Sequence, residues 1–293
     1  MGTALVQELV RTGREVTVLD LPGREPAIPF DRGVHRLKAD ITSADQVQRA
    51  VAGQDFVFHF AWPSTPATSL NNAAREVSQG LRPSLHILEA CLRHGTRKII
   101  FPSTGALYGP WQGRPYTESD PAAPRSPYAS AKLKAEEYLR LYGSKGLAYA
   151  VLRPGSAYGP GQNPLSGAGA ATAFLYQCLS GGPIRIYGRG EVLRDYTFSR
   201  DIIACAVQAM DMDGSQIFNV STRKGTSLLE LSESCFQLTD IAVPREFLPP
   251  RESDLNNIIL DNSLEQRLVI IRPTPLEEGL ELTLRWLKSR RLG

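Results

Sequence analysis

Cysteine and histidine are scarce, four of each in 293 residues. Cys91, Cys178, Cys205 and Cys235 lie far apart, with no Cys-x-x-Cys and no Cys/His cluster at metal-ligand spacing. That excludes a disulfide scaffold and a zinc module, and no metal is expected. Small buried thiols in a reducing compartment are the expectation, three of them in segments that read as helices. No unbroken apolar run reaches spanning length, and the N-terminus shows neither the basic nor the apolar region of a signal peptide, so a cytoplasmic protein without a membrane partner is expected. An excess of one charge is also lacking. The 33 Lys and Arg nearly balance the 30 Asp and Glu, for a net charge of +3. The basic residues are spread along the chain, which argues against a nucleic-acid partner. There is no internal repeat and no low-complexity tract.

What remains is the composition of an ordinary globule, 42% hydrophobic and 22% charged, long enough for one large domain or two modest ones. Helical patterns at residues 2–12, 43–50 and 73–94 alternate with apolar runs at 16–19, 34–38, 55–60, 98–102 and 148–152. In the helical stretch 73–94, Leu81, Leu85, Leu88 and Leu92 form the apolar stripe, and Pro83 predicts a kink. Strands and helices alternating in this way imply α/β architecture with a mostly parallel, doubly wound sheet. Beyond Ser156 the chain becomes rich in Gly and Pro, with further helices at 168–179, 200–210 and 227–238 and a strand at 184–186. The last long helix, 276–288, reads as capped by Thr274-Pro275.

The centre of interest is Ser126-Pro127-Tyr128-Ala129-Ser130-Ala131-Lys132. Proline suits the first helical position and serine the cap, so a helix opens here. Residues at i and i+4 share a face, which puts the Lys132 ammonium near the Tyr128 phenol, where it would favour the phenolate. Such a tyrosine can exchange a proton with a substrate alcohol near neutral pH. The bland alternative, a packed tyrosine and a solvated lysine on an ordinary helix, stays open on this motif alone. Upstream, the apolar run 98–102 ends in Ser103 and Thr104 and a glycine-punctuated loop, and hydroxyls at the carboxyl end of a buried strand lie where open α/β sheets bind ligands. Ser103 is expected to bond its local backbone, and His59 to be a packed strand residue rather than a base.

Together with Val16-Thr17-Val18-Leu19-Asp20, Phe58-His59-Phe60-Ala61, Leu152-Arg153-Pro154, Tyr158-Gly159-Pro160-Gly161-Gln162, Arg194-Asp195-Tyr196 with Asp201, and Leu276-Glu277-Glu278-Gly279-Leu280, these residues resemble the extended short-chain dehydrogenase/reductase superfamily. The likeness is to its NAD-dependent sugar-nucleotide epimerase/dehydratase branch and covers nearly the whole chain. It implies a Rossmann-type NAD-binding domain at 1–155 and a smaller C-terminal substrate-binding lobe at 156–293, with part of 194–220 returning to the main sheet. It also implies a homodimer through the helices at 73–94 and 127–142. For the cofactor it implies Gly2 in the phosphate-binding turn, Asp20 on the adenosine ribose and selecting NAD over NADP, and Asp40 and Ile41 beside the adenine. Ala61 and Trp62 would pass close to the nicotinamide ribose, which Lys132 would hold, and Phe60 and Pro154 would also bind the cofactor.

One departure stands out. Gly2 matches the third glycine of the family's phosphate-binding turn, and the strand and two glycines that precede it in relatives are not in this sequence. That strand lies mid-sheet in the family, so without it two inner strands would lose backbone partners. Two readings are open: a start upstream of Met1, which the surviving later motifs favour, or a relative with impaired cofactor binding. A second departure is Gly80-Leu81-Arg82-Pro83, where relatives carry Asn-Val-x-Gly.

The resemblance assigns Tyr128 as the base, Lys132 as the group that lowers its pKa, and Thr104 as the hydroxyl partner of the substrate. Ser156 stands where relatives contact substrate with Asn, and Arg194 and Arg251 align with two arginines that bind the diphosphate, a task suited to guanidinium. Family dehydratases and decarboxylases carry an acid just after the Thr104 position, where this chain has Gly105 and Ala106. Elimination then lacks an obvious catalyst. The expected activity is that of a UDP-hexose 4-epimerase acting by transient oxidation at C4. A sugar-nucleotide reductase or dehydrogenase, and a non-catalytic binding protein of the same fold, are the alternatives.

Overall fold

The computed structural model describes residues 1–23, 33–166, 169–250, 257–269 and 271–290. In chain order it begins α1 (Gly2–Arg11), β1 (Val16–Asp20), β2 (Val34–Lys38), α2 (Ala44–Val51), β3 (Phe56–Phe58), the short α3 (Pro66–Ser69) and α4 (Ala73–Arg75), α5 (Arg82–His94), β4 (Lys98–Pro102), α6 (Pro127–Gly143) and β5 (Ala148–Pro154). It continues β6 (Ser156–Tyr158), α7 (Ala170–Ser180), β7 (Ile184–Tyr187), β8 (Arg194–Phe198), α8 (Ser199–Gln208), β9 (Gln216–Val220), β10 (Gly225–Thr226), α9 (Leu228–Thr239), β11 (Arg245–Leu248), α10 (Glu265–Leu268) and α11 (Leu276–Ser289). Two compact units result. The first takes Met1–Thr104, Ser126–Arg153 and Ile203–Phe218, the second Gly105–Arg125, Pro154–Ile202 and Asn219–Gly293.

In the first unit β1 pairs in parallel with β2, Val16 opposite Val34, and β3, β4 and β5 form a parallel ladder that β9 extends. Among the described residues these two sheets share no ladder. β1, expected to be a buried strand, is only partly buried, because one of its edges has no strand beside it. The strand expected at 55–60 shortens to Phe56–Phe58, although the His59 N–H still donates to the Ile100 carbonyl. The core lies between the helices and β4 and β5, where Val47, Val51, Ile87, Leu88, Cys91, Ala135 and Leu139 meet Ile99, Phe101 and Val151. Each Val, Leu, Ile or Phe among them contributes about 1.5–3 kcal/mol when fully buried.

The expected long helix at 73–94 is interrupted. A π-helical turn, Glu76–Leu81, precedes α5, and Pro83 sits in the first turn of α5. Pro83 has no N–H to give, so the turn before it adopts the wider register. The buried stripe of α5 accordingly runs through Ser84, Ile87, Leu88 and Cys91, and Leu92 of the expected stripe faces outward.

The second unit holds the mixed sheet β10-β8-β6 and the parallel pair β11-β7. They pack with α7, α9 and α11 around Phe174, Leu175, Ile184, Phe198, Leu231 and Leu280. A capping box opens α9, with Ser227 and Glu230 satisfying each other's backbone N–H groups. The expected cap on α11 is absent. The Thr274 N–H and hydroxyl both donate to the buried Asp201 carboxylate at 2.7 Å, which leaves the Thr274 hydroxyl nothing to offer the helix. All four cysteines are buried thiols on helices.

Candidate active site

Ser126 has extended backbone, and its Oγ accepts the Ala129 N–H at 3.2 Å, with Pro127 at the first helical position. α6 therefore starts where the cap and proline place it. Its first turn is also tied to α3, since Ser69 Oγ accepts the Tyr128 N–H at 3.1 Å. The inner face of α6 carries Ala129, Ala135 and Leu139, and among them the charged Lys132 and Glu136. Tyr128, Lys132 and Glu136 thus form one row at steps of four.

The carboxyl end of β4 faces this row. Thr104 and Tyr128 share a hydroxyl–phenol hydrogen bond. Lys132 Nζ donates to the Pro102 carbonyl at 2.7 Å, and Ser103 Oγ donates to Glu136 Oε1 at 2.5 Å. The expected local backbone bond of Ser103 gives way to this buried carboxylate, a stronger acceptor than a carbonyl. Thr104, Tyr128 and Lys132 are brought together, but not with the electrostatics expected. The Lys132 ammonium is turned across to β4 and lies 5.9 Å from the centre of the Tyr128 ring. Burial pushes the phenol up to about 12, with the Glu76 carboxylate adding to the rise and the Thr104 hydrogen bond opposing it. Lys132 is not what governs it. Lys132 is itself lowered to about 7 by burial, against the support that Glu136 and then Glu76 give its ammonium.

Several polar residues around the row were not expected from the sequence. Glu136 is fully buried, and both its oxygens accept from the Arg153 guanidinium, at 3.1 and 2.7 Å. The signal was available, a glutamate four residues past Lys132 on an apolar stripe. Glu76, 1% exposed, accepts the Trp62 indole N–H at 2.9 Å through one oxygen, and its other oxygen has no hydrogen-bond partner among the described residues. The Trp62 ring lies 4.0 Å from Lys132 Nζ and edge-on to Tyr128, and the Phe101 ring covers the ammonium at 4.3 Å. His59 is buried and neutral, its pKa pushed down to about 3 by burial and the Lys132 charge. Ser84 Oγ donates to the Gly80 carbonyl, so it accepts from His59 Nε2, 2.8 Å away, and that nitrogen carries the proton. His59 is a packed residue, as expected.

The remaining candidates are spread over both units. Gly2 opens α1. Asp20 ends β1, with its carboxylate accepting the Leu21 N–H, and Asp40, just past the end of β2, accepts the Thr42 N–H, both at 2.8 Å. The Ile41 carbonyl takes the His86 ring N–H. Phe60, Ala61 and Trp62 follow β3. Pro154 is buried at the end of β5. In the second unit Ser156 of β6 pairs with Tyr196 of β8, on which Arg194 also lies, with its guanidinium donating to the Leu193 carbonyl. Arg251 lies outside the described residues. Among the described residues no group of three His, Cys, Asp or Glu is placed to hold a metal ion, and no helix is long and apolar enough to cross a membrane.

A sequence model of the NAD dependent epimerase/dehydratase family matches residues 1–221. The chain belongs to that family. It is an NAD-dependent enzyme of the extended short-chain dehydrogenase/reductase superfamily. A UDP-glucose 4-epimerase of Mycolicibacterium smegmatis is 29% identical over 99% of this chain and 96% of its own length. The crystal structure of the Thermotoga maritima UDP-glucose 4-epimerase with UDP-glucose superposes with a TM-score of 0.93 at 31% identity, covering 98% of this chain and 95% of that one. That of the Thermus thermophilus UDP-glucose 4-epimerase with NAD gives 0.91 at 30% identity, covering 99% and 96%.

Two carboxylates of this epimerase/dehydratase family member are of the chemical type that would accept from the hydroxyls of an adenosine ribose. Asp20 and Asp40 offer acceptor-only carboxylates at the ends of two paired parallel strands, each oriented by a neighbouring backbone N–H. The first turn of α1 carries no acidic residue and no side-chain cap.

Proposed function

We propose that this chain is a nucleotide-sugar 4-epimerase acting on a UDP-hexose. The observation that carries the reading is the hydrogen bond between Thr104, just past β4, and Tyr128, on the face of α6 that also holds Lys132. Bound NAD would accept a hydride from the carbinol carbon and give it back. Tyr128 takes the hydroxyl proton and later returns it, Thr104 orients that hydroxyl, and Lys132 holds the nicotinamide ribose. A phenol at about 12 is a proton donor. The arrangement is therefore set for the returning half of the cycle, in which an alkoxide must be protonated, and the outgoing half needs the ammonium nearer the phenol. Ser156, Arg194 and Arg251 are assigned to the sugar and its diphosphate.

Epimerisation is favoured over elimination because the two positions after Thr104 are Gly105 and Ala106, neither of which can move a proton at the neighbouring carbon, and the first is crowded. A Cβ on Gly105 would fall 2.9 Å from Leu260 Cδ1 and 3.1 Å from the Pro154 carbonyl. Dimerisation would use α5 and α6, where Leu92 and Leu141 are exposed. The test is incubation with NAD and UDP-galactose or UDP-glucose, following both sugars and absorbance from NADH. Interconversion without NADH accumulation supports the reading, and Tyr128→Phe should abolish turnover with substrate affinity kept. Accumulating NADH would make the protein a dehydrogenase instead, and an active Phe variant would remove Tyr128 from the chemistry.

A further inference from the structure

Lys132 is 3% exposed, so no ligand can reach its ammonium in the arrangement described. Three groups enclose it. The Pro102 carbonyl and the Phe101 ring belong to β4, the interior of a ladder. The third, the Trp62 indole, sits on the loop after β3 and is itself partly exposed, so of the three it alone is not fixed in a sheet. What holds it is Glu76. The indole N–H donates to one carboxylate oxygen at 2.9 Å, while the other oxygen is buried without a hydrogen-bond partner among the described residues. A buried, half-used carboxylate is unusual, since such groups normally find partners for both oxygens. It stands on a π-helical turn, a feature that recurs at functional sites.

We propose that Trp62 is a gate over a diol-binding pair, Lys132 and Glu76, and that the diol is the ribose beside the nicotinamide of NAD. With the indole swung out, the ammonium offers N–H donors and the carboxylate offers acceptors, complementary to two vicinal hydroxyls. Closed, the same two groups are occupied by the indole, through its face and its N–H. The proposal rests on the reading of Lys132 given above. Gly80 is the floor of the closed gate. A Cβ there would lie 2.8 Å from Trp62 Cζ2, so even an alanine would press the ring out of its closed position.

A closed gate raises the apparent Kd by the inverse of the open fraction, about tenfold if it is open one time in ten. Calorimetric titration of the full chain with NAD, and separately with ADP, which lacks the second ribose, reads this directly. Trp62→Ala, which removes the gate, and Gly80→Ala, which displaces it, should each tighten NAD by about tenfold and leave ADP unchanged. In the Trp62→Ala background, Glu76→Gln should then weaken NAD several-fold, again without effect on ADP. NAD binding no tighter in either gate variant, or NAD and ADP shifting together, would overturn the gate while leaving the cofactor reading intact. Failure of wild type and all variants to bind NAD would overturn both.

Discussion

Lys132→Met isolates the ammonium at the centre of the site. In the folded chain Lys132 titrates near 7, against an ordinary value of 10.5, because burial disfavours its charge. Between those values the unfolded chain binds a proton that the folded chain does not. Wild-type stability must therefore rise with pH across this window, by up to about 1.4 kcal/mol per pH unit from this one group. Below the window both states carry the proton and the folded state bears the whole desolvation cost; above it neither does and the cost vanishes. Methionine has a similar length and no charge, so the variant lacks this slope. It also leaves the Pro102 carbonyl without its donor, an offset of about 1–3 kcal/mol that does not vary with pH. The slope rather than the level is diagnostic. Urea unfolding of both proteins at pH 7, 8 and 9 should show wild type gaining about 2 kcal/mol on the variant over that interval. Parallel curves would refute a buried lysine of low pKa, and with it the assignment of the ammonium to the Pro102 carbonyl instead of the phenol.

Two more measurements test the surroundings. His59, buried and titrating near 3 where 6.5 is ordinary, binds a proton on unfolding as pH falls through that range, so it costs stability on acidification. His59→Gln should move the midpoint of acid unfolding, followed by circular dichroism, to lower pH, and an unchanged midpoint would show the imidazole to be charged or exposed. Glu136→Gln strips the counter-charge from the buried Arg153 guanidinium and should cost about 3–5 kcal/mol in urea unfolding. The double variant Glu136→Leu/Arg153→Met should recover most of that loss, and a Gln variant as stable as wild type would mean that the pair is solvated.

The alternation of helical and strand patterns was enough to read the parallel α/β architecture, because buried parallel strands such as Lys98–Pro102 and the stripes of amphipathic helices leave distinct periods. Local chemistry was legible for the same reason. The cap at Ser126 and the proline after it specify where α6 begins, spacing puts Tyr128 and Lys132 on one face, and the strand end offers Ser103 and Thr104, between which the family resemblance chooses. The phase of α5 was not legible, since the widened turn before Pro83 rotates the buried stripe by an amount no local pattern records. Nor was the state of Thr274, whose capping hydroxyl is claimed by Asp201, far earlier in the chain.

The same limit explains the one electrostatic expectation that failed. Helical spacing decides which residues share a face, and it placed the ammonium and the phenol on one row correctly. It does not decide which way a four-carbon stem points. A lysine at that position can reach along the helix to the tyrosine or across it to the sheet, and the choice falls to whatever offers a buried ammonium the better surroundings. Here the Pro102 carbonyl accepts its proton, Phe101 and Trp62 cover it with aromatic faces, and Glu76 and Glu136 supply negative charge. Of these only Glu136 lies on the same helix. Trp62 alone among the covering groups stands on a loop, while the hydrogen bond that ties Lys132 to the sheet is to a strand carbonyl, so the choice of direction is written in β4 and not in α6.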